Sequence, residues 1–278
     1  MSSDLTHSGA GEVWRGLAGV YADLGPPLVP GEEDCRIVER TIADWVAGHP
    51  GERMNALLMG VTPPMAALPW PDHSFLTAMD RSQFMIRSVW PGNVGSRRAA
   101  VRADWQSLPV RNGSVDLVVA DGSLSSVSYP DGYRAVCRAI VRALKPGGMV
   151  SLRVYIPPCA KENPADVVRE LPRHATFHEF KLRLLMALQT SPAEGSQLDR
   201  AHRYWTGYAI DRATLAASTG WRRQEIDTID HYRGVDEAYT FPALDDLAPL
   251  LEEYFTITSI SVPTYSLGAC CPTLVLRP

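Results

Sequence analysis

Four positions at the ends of apolar segments carry residue types suited to holding a hydroxyl-rich, phosphate-free ligand: Gly60, Asp80, Asp104 and Asp121. The run Asn55-Ala-Leu-Leu-Met-Gly60 leads into Val61-Thr-Pro-Pro-Met65. A pyrophosphate loop needs backbone N–H groups at a helix start and glycines that let the phosphate approach. Pro63 and Pro64 have no N–H to offer, and the later glycines of such a loop are missing. Dinucleotides and nucleoside triphosphates are therefore disfavoured. Thr62 suits an N-cap and proline suits a first helical turn, so the loop still reads as a helix start.

About 20 residues beyond Gly60 a second apolar segment ends in Asp80-Arg81, the spacing at which a carboxylate accepts both hydroxyls of a ribose. A third segment ends Ala103-Asp104-Trp105, where Asp104 is expected to accept from an exocyclic amine and Trp105 to offer backbone and an aromatic face. The fourth ends Val118-Val-Ala-Asp121-Gly122-Ser123. Ligands of open α/β sheets bind outside the carboxyl ends of the strands, so all of these positions are expected around one crevice.

The elements that must place them follow from the hydrophobic pattern. Short apolar runs at Asn55–Gly60, Phe75–Met79, Ala99–Ala103, Val115–Ala120 and Met149–Ile156 read as strands. Helical patterns at Arg81–Trp90 and Gly132–Leu144 separate some of them, and Leu144-Lys-Pro-Gly-Gly148 supplies a helix stop and a turn. That alternation predicts an α/β, doubly wound parallel sheet. Ahead of it, Val13–Val20 and Asp34–Ala47 read as two helices about a Gly25-Pro-Pro-Leu-Val-Pro30 elbow. After Ile156 the alternation gives way to helical patterns, including Phe177–Leu188, which read as an inserted lobe. Asp245–Glu253 reads as an ordinary amphipathic helix, and Phe255–Val262 with Thr273–Leu276 as two closing β segments.

With 278 residues, 45% of them hydrophobic, the chain can bury a large core. A net charge of −4, with no Lys/Arg-rich run, argues against nucleic acid and anionic membrane surfaces as partners. No secretory signal and no apolar stretch of roughly 20 residues is present, which leads to a cytoplasmic expectation. Five cysteines without a C-x-x-C spacing argue for reduced thiols. His174 and His178 stand four apart, but without the intervening glutamate and third ligand of a zinc helix, so no metal is expected.

The ordered set of a loop at Gly60, Asp80, Ala103-Asp104-Trp105, Val115-Asp-Leu-Val-Val-Ala-Asp121 and Leu144-Lys-Pro-Gly-Gly148 resembles the class I S-adenosylmethionine-dependent methyltransferases over roughly Met54 to Tyr155. Gly60-Val-Thr-Pro-Pro64 departs from that family's Gly-x-Gly-x-Gly. The resemblance implies a Rossmann-like sheet of about seven strands with the last antiparallel. It also implies S-adenosylmethionine as cofactor, the Gly60 loop near the methionyl part and ribose, Asp80 on the ribose, Asp104 on adenine and Asp121 near the sulfonium. Tyr21, Thr62, Arg81, Trp105, Gly122 and Ser123 complete the expected cofactor set.

The resulting division is an N-terminal helical lid over 1–50, a cofactor-binding core over 51–158, a helical substrate lobe over 159–250 and completing strands over 251–278. Methyl transfer at an activated sulfonium carbon mainly demands alignment and exclusion of water. Catalytic or acceptor-contacting candidates are Tyr21, Arg153, Tyr155 and His178, with the His202-Arg203-Tyr204-Trp205 cluster as further acceptor contacts. Arg153 is read as a bidentate partner for an acceptor carboxylate, and His178 or His202 as a proton acceptor. A small-molecule acceptor is expected. Cyclisation or cleavage of the cofactor and non-catalytic cofactor binding are the alternatives, and a homodimer is left open.

Overall fold

The computed structural model describes residues 8–94 and 97–278, with side chains from residue 14 onward. Much of the polar segment Met1–Glu12 therefore lies outside the described residues. Helices α1 (Ser8–Val20) and α2 (Glu32–Gly48) precede β1 (Asn55–Met59), α3 (Pro63–Ala66), β2 (Phe75–Asp80), α4 (Gln83–Ser88), β3 (Arg98–Arg102), β4 (Val115–Asp121), α5 (Asp131–Ala143) and β5 (Leu144–Arg153). A lobe follows, made of α6 (Pro164–Arg169), α7 (Phe177–Leu188), β6 (Ser196–Gln197), α8 (Leu198–Thr206), α9 (Arg212–Thr219), α10 (Arg223–Asp227) and β7 (Ala238–Tyr239). Helix α11 (Leu244–Glu252), β8 (Thr256–Ser261) and β9 (Thr273–Arg277) close the chain.

The main sheet has seven strands in the order β3-β2-β1-β4-β5-β9-β8. Strands β1 to β5 pair in parallel, whereas β9 runs antiparallel to both β5 and β8. Because side chains alternate along a strand, each central strand feeds two cores. Leu57, Met59, Val118 and Ala120 pack toward α5 and α11, while Ala56, Leu58, Leu117 and Val119 pack toward α2 and α4. The lobe has its own core around Phe177, Phe180, Trp205, Ile226 and Phe241. Among the described residues, no helix is long and apolar enough to cross a membrane.

Two local expectations change. Strand β5 begins at Leu144 rather than Met149, because Leu144 already pairs with Val115 and a register shift absorbs the Lys-Pro-Gly-Gly turn. It ends at Arg153 rather than Ile156, since Val154 and Ile156 turn their N–H groups to Pro272 and Cys270. The lobe also contains the short antiparallel β6–β7 ladder, Ser196 opposite Tyr239, which its helical patterning concealed.

Candidate active site

All parallel strands point their carboxyl ends to one edge of the sheet, and there a cavity opens. Its floor is made by Gly60, Val61 and Thr62 after β1, Asp80 and Arg81 after β2, Trp105 after β3, and Asp121, Gly122 and Ser123 after β4. Its roof comes from Trp14, Leu17, Tyr21, Leu24 and Leu28 of the N-terminal segment, and its far wall from Lys181, Tyr232 and Tyr239 of the lobe.

The floor is set by backbone geometry. Gly60 has φ +102° and donates its N–H to Met79 O at 2.8 Å, so the chain leaves β1 in a conformation that a Cβ would strain. Thr62 stands at the N-cap of α3 with Pro63 and Pro64 after it, but its hydroxyl makes no capping bond; it lies beside the Tyr21 hydroxyl instead. Burial, and then Asp121, hold that phenol protonated well above its ordinary range. Trp105 donates its indole N–H to Met79 O, which fixes the ring against the cavity. Ser123 donates its hydroxyl to Met59 O at 2.8 Å, tying the β4 loop to the end of β1.

Asp80 is buried, with Oδ1 accepting the Ser82 N–H at 2.8 Å. Burial raises its pKa to about 6, against the opposing pull of that N–H and of Arg81. Arg81 pairs with Glu237 of the lobe at 3.2 Å and lies over the Trp14 ring at 5.5 Å, which joins floor, roof and wall.

A buried ion cluster lies beside the cavity. Arg153 Nη1 reaches Asp121 Oδ1 at 2.7 Å and its Nε lies 3.1 Å from Asp34 Oδ1, with all three side chains at most 4% exposed. Nη2 donates to Pro27 O at 2.7 Å and to the Tyr265 hydroxyl at 3.1 Å. Tyr265 in turn donates to Asp34 at 2.9 Å, and Tyr155 donates to Pro27 O at 3.0 Å. Thr176, capping α7, donates to Pro26 O at 2.9 Å. The elbow, whose prolines donate nothing, is thus held through its carbonyls by Arg153 at the end of β5, by Tyr155 just after it and by Thr176 of the lobe.

The structure brings Tyr21, Gly60, Thr62, Asp80, Arg81, Trp105, Asp121, Gly122, Ser123 and Tyr155 to one cavity. Three expected residues fall elsewhere. Arg153 is not free to meet an acceptor carboxylate, since Asp34, Asp121, Pro27 and Tyr265 already occupy its guanidinium. Asp104 is exposed and outside the cavity lining, and its Oδ1 caps the following turn by accepting the Gln106 N–H at 2.9 Å. His178 is buried against the elbow, its ring carbon 3.2 Å from where a Cβ on Gly25 would stand. Burial and Lys181 push its pKa down to about 3, so it is a neutral packing group. His202 pairs with Asp230 at 3.3 Å, and Trp205 packs on Phe177 and Phe180.

Lys181, Tyr232 and Tyr239 were not legible as site residues. Lys181 is fully buried, donates to Thr228 Oγ1 at 3.0 Å and stands 4.7 Å from the centre of the Tyr232 ring. A signal for it exists: α7 carries apolar residues all round, leaving no wet face for a lysine.

A doubly wound sheet with one reversed strand, a phosphate-averse first loop and an acid at the end of β2 make up a Rossmann-like methyltransferase fold. Residues 59–152 match the methyltransferase domain family, and the chain is an enzyme of that kind, with S-adenosylmethionine as its cofactor. No curated protein matches the sequence. Among solved structures, a Rhodobacter sphaeroides protein described as a Zn-dependent alcohol dehydrogenase is similar at 15% identity and TM-score 0.61, covering 98% of each chain. The Burkholderia thailandensis 1,6-didemethyltoxoflavin-N1-methyltransferase, solved with 1,6-didemethyltoxoflavin and S-adenosylhomocysteine, is similar at 14% and 0.52, covering 100% of this chain and 92% of its own. A Leishmania major S-adenosylmethionine-dependent methyltransferase follows at 12% and 0.52, covering 96% and 80%. At these identities the likeness concerns the fold. Among the described residues, no three His, Cys, Asp or Glu side chains converge as metal ligands.

Proposed function

We propose that this protein transfers the methyl group of S-adenosylmethionine to a small-molecule acceptor. The observation that carries this reading is the roofed cavity: α1, the segment after it and the lobe stand over the strand ends, leaving a recess suited to small molecules. The cofactor fits its floor. Asp80 keeps one carboxylate oxygen free of protein partners among the described residues, available to the ribose hydroxyls. Trp105 offers a ring, and Pro63-Pro64 suit a ligand without phosphates. Asp121, Gly122 and Ser123 would flank the sulfonium, with Tyr21 closing over it. When bound, the cofactor supplies a methyl group already activated by positive sulfur, so the chain's contribution is alignment and exclusion of water. We place this reaction in the cytoplasm, in keeping with five unpaired cysteine thiols.

Calorimetry tests the reading. Wild type should bind S-adenosylmethionine, and turnover with an acceptor should yield S-adenosylhomocysteine; methylthioadenosine formed from cofactor alone would replace it with a cleavage activity. Asp80→Asn should weaken cofactor binding about 10–100-fold, the value of hydrogen bonds to a charged acceptor. Because burial raises the Asp80 pKa to about 6, the accepting carboxylate is present above that pH and lost below it. Wild-type affinity should therefore fall as pH drops from 7 to 5, while Asp80→Asn stays flat. A parallel fall in both proteins would take the ribose role away from Asp80.

A further inference from the structure

The wall opposite the cofactor floor carries a buried amine that the assignment above does not use. Lys181 lines the cavity with its side chain fully buried, and its ammonium would have three donors for one protein acceptor, Thr228 Oγ1. Its other contact is the face of Tyr232, and it forms no ion pair among the described residues. Among the cavity's other charges, Asp121 is engaged by Arg153 and Arg81 by Glu237, while Asp80 accepts the Ser82 N–H with one oxygen and has its other oxygen assigned to the ribose. The titratable groups nearest Lys181 are His178 on its own helix and His231 and Tyr232 from the packed 228–232 turn; Tyr21 and Tyr239 lie elsewhere on the cavity wall. Both histidines are held neutral by burial and by Lys181 itself, and no carboxylate among these neighbours offers the amine a counter-charge. Around it the cavity is aromatic and apolar: Trp14, Tyr232, Tyr239, Leu24 and Leu28.

We infer that Lys181 is the proton acceptor for the methyl acceptor, and that this acceptor is a planar aromatic molecule bearing an acidic hydroxyl. The inference rests on the methyl-transfer reading. The neutral amine takes the proton from the acceptor's O–H, leaving an ammonium paired with a phenolate-type oxygen. The oxygen lone pair then forms the bond to the methyl carbon as the carbon–sulfur bond breaks and leaves its electrons on sulfur. The proton stays on Nζ until product leaves and water removes it. Burial suits the amine to this cycle by drawing its pKa down to about 7, so that near neutral pH both forms are accessible. The unpaired ammonium and the aromatic walls select the same ligand: a flat ring with an anionic oxygen.

Binding of 4-nitrophenol, with no cofactor present, tests the proton transfer apart from turnover. At a pH where free 4-nitrophenol is mostly protonated, wild type should bind it as the yellow phenolate. Lys181→Met, which keeps the volume and removes the amine, should lose at least 10-fold in affinity and lose the colour change. Lys181→Arg keeps a cation but takes up no proton, so it should bind only phenolate already formed, with affinity rising as pH rises. With cofactor and a panel of phenols, Lys181→Met should lose about 100-fold in kcat, within the usual range for removing a positioned base. Cofactor affinity by calorimetry should stay unchanged in both variants. Phenol bound in its neutral form, or equal binding and turnover in Lys181→Met, overturns the inference and leaves methyl transfer standing. Failure of wild type to bind cofactor strikes the methyl-transfer reading instead.

Discussion

Arg153→Met should lower the free energy of unfolding by about 3–5 kcal/mol, the largest effect expected of a single side chain here. The cause is what the substitution leaves behind. Asp34 and Asp121 are 0% and 4% exposed, and Arg153 is the cation that both contact. Methionine fills much of the space but leaves two carboxylates buried without a counter-charge, and Pro27 O loses one of its two close donors. Urea unfolding at pH 7 measures the loss. Its pH dependence identifies the cause: orphaned buried carboxylates have pKa values above those of the unfolded chain. Such groups destabilise the fold above their native pKa and cease to do so below the unfolded pKa of about 4. The deficit should therefore shrink as pH falls. Combining Arg153→Met with Asp34→Asn should recover part of the loss, because one uncompensated charge is removed. A deficit independent of pH and additive with Asp34→Asn would reduce Arg153 to a packing residue.

Gly122→Ala should cost about 2–5 kcal/mol and abolish tight cofactor binding. Gly122 has φ +61°, and a Cβ there would stand 2.6 Å from Tyr155 Cε2 and 2.9 Å from its hydroxyl oxygen. The left-handed conformation alone costs an alanine about 1–2 kcal/mol, and overpacking adds about 1–3 kcal/mol. Tyr155 has little room to yield, since its hydroxyl is bonded to Pro27 O and its ring lies against Arg153 at 5.2 Å. Gly147→Ala is the matched control: φ is +81° and nothing lies within 4 Å of the added carbon. It should show the conformational cost alone, with cofactor binding intact. If both variants lose the same stability, Tyr155 moves aside freely and the β4 loop is not braced by it.

The placement of the cavity floor was legible because a parallel sheet leaves little freedom. Once apolar runs at Asn55, Phe75 and Val115 are read as neighbouring parallel strands, Gly60, Asp80 and Asp121 must emerge at one edge. What alternation does not specify is where a side chain turns after the strand ends, and Asp104 shows the difference. It sits at the expected strand end, but a carboxylate one residue before a tight turn meets the N–H of Gln106 locally, a contact that needs no partner from elsewhere. Arg153 misled for the opposite reason. A charged residue ending an apolar strand suggests a ligand contact, and its actual partners, Asp34, Pro27 and Tyr265, lie more than a hundred residues away in sequence. His178 was read as a proton acceptor, and Lys181 was not singled out. Helix α7 is buried on nearly every side, because the lobe packs its own core on one side of it and the proline elbow on the other.

The brace on the elbow also sets an order of events at the ribosome. Trp14 to Leu28 are synthesised long before Arg153, Tyr155 and Thr176, the side chains that hold the elbow down. Until β5 exists, Asp34 has no cation to enter the core with, so the roof stays undocked while the strands of the floor pair. A nascent chain halted ahead of residue 153 should carry a floor without a seated roof. Cofactor retention is then a property the polypeptide acquires only after the whole parallel part of the sheet has been made, and a product truncated before β5 would not sequester the cofactor.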